Sequence, residues 1–150
     1  MTIIELTTYI EAPIEKVFDL ARSIDLHTDS MAHTGEQAIA GRTSGLIEMG
    51  ETVTWRARHF GKWQTLSSKI TDYNYPHYFT DVMIEGAFES FSHQHLFYAI
   101  NKQTVMMDIF IFESPHGKLG QLANFLFLGR YMTNLLKKRN RAIKKAAEAS

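Results

Sequence analysis

Cysteine is absent from this chain of 150 residues. That removes disulfide frameworks, thiolate metal sites and cysteine nucleophiles at once, and it fits a reducing compartment. No stretch approaches the roughly 18 consecutive apolar residues that a membrane-crossing helix needs. The opening MTIIELTTYIEAP has neither a basic stretch before an apolar run nor a small-residue cleavage pattern. The chain therefore reads as soluble and cytoplasmic. No GxSxG elbow is present, which speaks against a Ser-His-Asp hydrolase. Gly41, Gly45 and Gly50 lie in a connection between strands rather than at a strand-to-helix turn, so they serve turns and not a phosphate loop. Repeats, linkers and low-complexity stretches are missing too, and residues 1–150 read as a single domain.

Charge of one sign is also lacking overall, with 16 basic and 16 acidic residues. The balance hides an asymmetry. Residues 137 to 150 carry six basic side chains, Lys137, Lys138, Arg139, Arg141, Lys144 and Lys145, against Glu148, a local charge of +5, and the remainder carries −5. A basic end complements the partial negative charge of a helix carboxyl terminus. No aromatic residue is interleaved to stack on bases, so nucleic acid or an anionic membrane is not the expected partner.

What is present is alternation. Thr2 to Glu11 is a β-branched strand pattern that Ala12-Pro13 ends, and Ile14, Val17, Phe18 and Ala21 then recur at helical spacing. Asp25 to Ala32 reads as a polar helical turn or loop. From Glu36 onward the period is two, with strands expected at 36–41, 51–60, 63–73, 78–85, 88–100 and 104–113, joined by short connections that favour antiparallel neighbours. A long amphipathic helix is expected from about Leu119 to Ala147, with Leu122, Phe125, Leu126, Met132, Leu136 and Ile143 as its stripe. Its first half is apolar almost all round, which calls for cover on two sides.

The alternation assigns faces. Val53, Trp55, Ala57 and His59 share one face, and Phe91, His93, His95 and Phe97 share another. If Asn101-Lys102 is a two-residue hairpin turn, Phe91 opposes Phe112, His93 opposes Phe110, His95 opposes Asp108 and Phe97 opposes Met106. Asp108 then points inward beside His95, where an imidazole makes its burial tolerable. Such a pair is either structural or an acid/base handle in an apolar cavity. His59, His93, His95 and Asp108 are the candidate catalytic residues. No compact metal motif accompanies the histidines, and neither a metal nor another cofactor is expected.

Taken together, the opening strand with Ala12-Pro13, the segment Val53-Thr54-Trp55-Arg56-Ala57-Arg58-His59-Phe60-Gly61, and Gly86-Ala87-Phe88, His93-Gln94-His95, Met106-Met107-Asp108 and Ser114-Pro115 with Gly117 before the last helix resemble the START-like superfamily, also called SRPBCC, and within it a bacterial cyclase-like or ligand-binding subgroup. The resemblance spans the whole chain. It implies an α+β helix-grip fold, in which a curved antiparallel sheet of six to seven strands wraps a long carboxyl-terminal helix, with short helices after the first strand. It also implies a hollow between sheet and helix that takes a small hydrophobic or aromatic molecule. The inward set read from the residues, Trp55, His59, Phe91, His93, His95, Phe97, Asp108, Phe110, Phe125 and Met132, is the expected lining. Three functions are compatible with it: ligand binding, a polyketide cyclase/dehydrase-like reaction using the inward histidines and Asp108, or partner binding through the basic helix end. Homodimerisation through an apolar sheet edge is compatible with each, and residue types leave turnover open.

Overall fold

The β-branched run at the start forms β1 (Thr2–Ile10), and Pro13, with φ −62, caps helix α1 (Ile14–Ala21). The stripe read from the spacing, Ile14, Val17, Phe18 and Ala21, is the buried face of α1. The polar segment that follows is a full helix, α2 (Ile24–Ser30), capped by the Ser23 hydroxyl, which accepts from the Leu26 amide. A 3₁₀ turn (Ala32–Thr34) leads from it into the sheet.

The computed structural model describes residues 1–114 and 127–149. Among the described residues seven strands form one antiparallel sheet: β1, β2 (Gln37–Gly41), β3 (Thr52–His59), β4 (Lys62–Asn74), β5 (Tyr78–Glu85), β6 (Ser90–Ile100) and β7 (Gln103–Glu113). Each expected strand is there, with ends displaced by no more than two residues. The order β1-β7-β6-β5-β4-β3-β2 joins the first strand to the last. Register shifts between Ala38 and Ala40, Ser67 and Ser68, and Ile70 and Asp72 mark bulges, which add local twist and bend the sheet. The Asn101-Lys102 hairpin has the expected pairing, with Asn101 in the left-handed region at φ 58 and His95 opposite Asp108.

The concave face holds helix α3 (Gly129–Glu148). The amino-terminal part of the expected helix, with Leu122, Phe125 and Leu126, lies outside the described residues. Packing inside the sheet divides into two apolar clusters. One gathers Phe18, Phe79, Phe97, Met106 and Ile143, with Phe18 wholly buried and its ring against Tyr73, Tyr75, Phe79 and Phe97. The other gathers Ile4, Phe91, Phe110, Phe112 and Leu136.

A polar layer separates them, and three elements contribute to it in step. On β6 it is His93 and His95 between Phe91 and Phe97. On β7 it is Asp108 between Phe110 and Met106, and on α3 it is Arg139 and Asn140 between Leu136 and Ile143. Arg139 was grouped by sequence with the basic helix end; it is instead turned inward and buried, because its place on the helix stripe faces the sheet. Its Nη1 donates to Asp108 Oδ1 at 3.3 Å and to Asn140 Oδ1 at 3.0 Å, and its Nη2 donates to the Ala21 carbonyl at 3.1 Å. Removing one member of a buried ion pair leaves its partner's charge uncompensated and typically costs about 3–5 kcal/mol. Arg139→Met should therefore lower the unfolding free energy by roughly that amount in urea titrations. A loss under about 1 kcal/mol would place the pair among those that contribute little.

Candidate functional site

A cavity of about 250 Å³ lies between the sheet and α3. Alternation builds its walls. Val53, Trp55 and Ala57 of β3 are buried on the inner face, as the patterning required, and Phe79, Phe91 and Phe110 of β5, β6 and β7 supply rings. Met132 and Leu136 close it from the helix side. Leu128 also faces it, whereas Phe127 is exposed, so the apolar start of the helix does not turn every side chain inward.

Of the residues expected to line the site, Trp55, His59, Phe91, His93, His95, Phe110 and Met132 do line this cavity. Two do not, and each has a physical reason. Phe97 is drawn into the core around Phe18, where it packs against the rings of Phe18 and Phe79. Asp108 sits behind the histidines, held by three hydrogen bonds. Phe125 lies outside the described residues.

The hydrogen bonding differs from the expected pair. His95 and Asp108 are opposed in register, yet Asp108 Oδ1 accepts from His93 Nε2 at 2.7 Å, a diagonal neighbour on the same face. Asn140 Nδ2 donates to Asp108 Oδ2 at 2.7 Å. His95 Nε2 instead reaches Asp81 Oδ1 at 2.8 Å, on β5. The rings of His93 and His95 stack with centroids 3.7 Å apart, and His95 stacks in turn on Phe79.

These contacts fix a tautomer. A guanidinium only donates, so the Arg139 Nη2 at 3.2 Å requires His95 Nδ1 to accept; the ring proton is then on Nε2, where it donates to Asp81. His95 is neutral for the same reason. Burial, reinforced by the adjacent His93, pushes its pKa from 6.5 down to about 3, against the opposing pull of Asp81. Burial alone would raise the Asp108 carboxyl. The His93 hydrogen bond and the Arg139 guanidinium outweigh that, holding it well below the usual carboxylate range. Asp81 follows the same pattern, with the His95 hydrogen bond overcoming burial and keeping it ionised.

Both nitrogens of His95 are thus occupied, which removes it as an acid or base. His93 differs, because Nε2 is tied to Asp108 while Nδ1 has no hydrogen-bond partner among the described residues. Asp81, His93 and His95 bring potential ligand atoms within 4.8 Å of one another. A cation at that point would need a free lone pair on His95, but Nε2 carries the proton and Nδ1 faces the Arg139 guanidinium. The trio is built as a hydrogen-bonded network rather than a ligand set.

At another part of the wall, His59 Nδ1 bonds the Tyr131 hydroxyl, and burial lowers the pKa of His59 and raises that of Tyr131. The His27 ring lies against Trp55 with centroids 4.4 Å apart, and its Nε2 stands 3.1 Å from Glu36 Oε2. Alignment there is poor, since Glu36 Oε2 has no hydrogen-bond partner. Of the basic helix end, Lys144 donates to the Tyr9 carbonyl and to Glu148, and Lys138 lies against His33.

Sequence reading missed Asp81, Arg139, Asn140 and Tyr131. Three of these had a signal. Phe79, Asp81 and Met83 form one alternate set of β5 with a lone acid among apolar residues, the same mark that drew attention to Asp108. The helix stripe from Met132 through Leu136 to Ile143 has a gap that positions 139 and 140 fill.

No protein-family model matches the chain, and no curated protein matches it either. Solved structures do. A protein from Thermus thermophilus superposes with a TM-score of 0.76 at 18% identity, covering 99% of this chain and 100% of that one. The Zhui aromatase/cyclase of a Streptomyces species gives 0.73 at 16% identity, covering 98% and 93%. Ginseng major latex-like protein 151 from Panax ginseng gives 0.67 at 13% identity, covering 99% and 98%. The chain has the helix-grip fold. That is the fold of the START-like superfamily to which the sequence was likened, and at these identities the likeness carries the architecture and no activity.

The helix-grip interior makes a pH prediction. A histidine whose folded pKa is depressed stays neutral while its unfolded counterpart takes up a proton, so it leaves stability untouched above about pH 6.5 and reduces it as pH falls from there toward 3. The slope in that window is up to about 1.4 kcal/mol per pH unit from His95 alone. Urea titrations at pH 7, 5.5 and about 4.5 should show this decline. His95→Gln should flatten it, and an unchanged slope in the variant would assign the decline to other groups.

Proposed function

We propose that this protein binds a small hydrophobic or aromatic molecule in the cavity between the sheet and α3. The observation that carries this reading is the cavity itself: about 250 Å³ walled by Trp55, Phe79, Phe91 and Phe110, with a small set of fixed polar groups at one part of the wall. Apolar walls with a few convergent polar atoms are the usual composition of a small-molecule site. The rings offer area and little directional chemistry, while the Asp81, His93 and His95 cluster orients a ligand. The helix-grip fold, shared with an aromatase/cyclase, is compatible with an aromatic guest.

Native mass spectrometry of freshly purified protein, followed by denaturation and identification of what is released, tests this. A retained apolar compound is the expected result. An apo mass, together with no saturable binding of aromatic probes, would overturn it.

One observation favours turnover as a second reading. Asp108, fixed by hydrogen bonds from Arg139 and Asn140, accepts a hydrogen bond from His93 Nε2, the arrangement by which a carboxylate orients an imidazole for proton transfer at its other nitrogen. His93 Nδ1 is then the base and Asp108 the positioning residue, in place of the His95-centred arrangement expected from sequence. His93→Gln removes the ring base. With the released compound or its precursor as substrate, loss of turnover by roughly a hundredfold or more at nearly unchanged affinity would mark an enzyme. Loss of affinity alone would mark a binding protein.

A further inference from the structure

The polar part of the cavity wall divides its hydrogen-bonding groups unevenly. Its donors are largely consumed within the protein. His95 Nε2 gives its proton to Asp81, His93 Nε2 gives its proton to Asp108, and the two terminal nitrogens of Arg139 serve Asp108, Asn140, the Ala21 carbonyl and His95. Acceptors are left over. Asp81 uses Oδ1 for His95, and its second oxygen, like Nδ1 of His93, has no hydrogen-bond partner among the described residues.

Asp81 stands opposite Ile70 on one side and His93 on the other, both on the inner face, so the one-fifth of its side chain that remains exposed opens onto the cavity. Asp81 and His93 are directly opposed across the β5-β6 pair on one face, close enough for one small donor group to reach both. The charge there is also one-sided. The Arg139 guanidinium lies against Asp108 at 3.3 Å and not against Asp81. A carboxylate oxygen facing apolar walls without a partner is costly to keep, and an incoming donor relieves that cost. Phe79 and Phe91 line the cavity nearby and supply the apolar wall for the body of such a ligand.

We propose that the cavity selects a ligand whose apolar or aromatic body ends in a hydrogen-bond-donating head, a hydroxyl or a protonated amine, seated between Asp81 and His93, and that it rejects the same body ending in a carboxylate. This rests on the ligand-binding reading above and adds the chemistry of the head group. Asp81 is the specificity-determining residue, and His93 Nδ1 is the second acceptor.

Isothermal titration calorimetry on the full chain at pH 8 tests it with four probes: naphthalene, naphthol, naphthylmethylamine and naphthoate. Naphthol, naphthylmethylamine or both should bind roughly ten- to hundredfold more tightly than naphthalene, the range of a hydrogen bond to a charged acceptor, and naphthoate more weakly. Whichever of the two gains more identifies the head as hydroxyl or ammonium. Asp81→Asn, which turns an amide toward the cavity, should erase at least tenfold of the amine's advantage and improve naphthoate.

Naphthoate binding the wild-type protein as tightly as naphthol would overturn the selectivity and leave the cavity reading standing. Failure of all four to bind would overturn both. An Asp81→Asn protein that melts like wild type and keeps the full preference would remove Asp81 from the role; if that variant does not fold, the wild-type series decides alone.

Discussion

The contact on which the rest of the structure depends is the buried Arg139 guanidinium against the Asp108 carboxylate. Helix α3 could rest on a concave apolar sheet at many rotations and heights, because hydrophobic contact is non-directional. A guanidinium cannot. Its fork must meet Asp108, Asn140 and the Ala21 carbonyl together, and this sets helix α3 against β7 and against the end of α1 in one register. The neighbouring Asn140 completes Asp108 from the same helix, so two consecutive residues lock one carboxylate. Desolvating such a pair costs several kcal/mol per ion, and only a nearly complete set of hydrogen bonds repays it. The layer has that set.

From this lock the chemistry of the cavity follows. Because Arg139 also donates to His95 Nδ1, the tautomer of His95 is decided by a helix residue and not by the strand that carries it. That choice sends the Nε2 proton to Asp81 and takes His95 out of any acid/base role. Because the His93 hydrogen bond and the Arg139 guanidinium keep Asp108 ionised, His93 is oriented with Nε2 bound and Nδ1 available. Two histidines two residues apart, stacked and chemically identical in sequence, are thereby given different properties by what lies behind them. The difference in hydrogen bonding between the two imidazoles is set by the residues behind them.

Alternation made the architecture legible. Period-two patterning from Glu36 to Phe112 located β2 to β7, the β-branched run at the start located β1, and the Asn101-Lys102 turn placed His95 opposite Asp108, as the register has it. Hydrogen bonding was less legible, because opposition in register fixes which backbones face each other and not which side-chain atoms meet. The reach of an imidazole and the twist of the sheet let the diagonal pair, His93 with Asp108, win over the direct one. Phe97 was misplaced for a related reason. Patterning shows that it points inward, but only packing shows whether inward means cavity or core, and the rings of Phe18 and Phe79 settle that. Arg139 was hidden by its neighbours, since a single inward charge within a run of basic residues reads as one more member of the run.

A hollow domain faces a difficulty that a filled one does not, because space inside the sheet forgoes the dispersion contacts and apolar burial that hold an ordinary core. Here the two apolar clusters flank the opening, one around Phe18 and one around Phe110 and Phe112, and the polar layer bridges them. Specific hydrogen bonds do what close packing does elsewhere: they define one position for the helix while leaving room beside it. The same groups that hold the hollow open are those whose spare atoms face into it, notably Asp81 and His93. Stability and the form of the cavity wall are therefore coupled at this layer. A substitution of Asp108 or Arg139 perturbs both by one route, whereas Asp81, bonded to His95 alone among the described side chains, is part of the wall that stands apart from the lock.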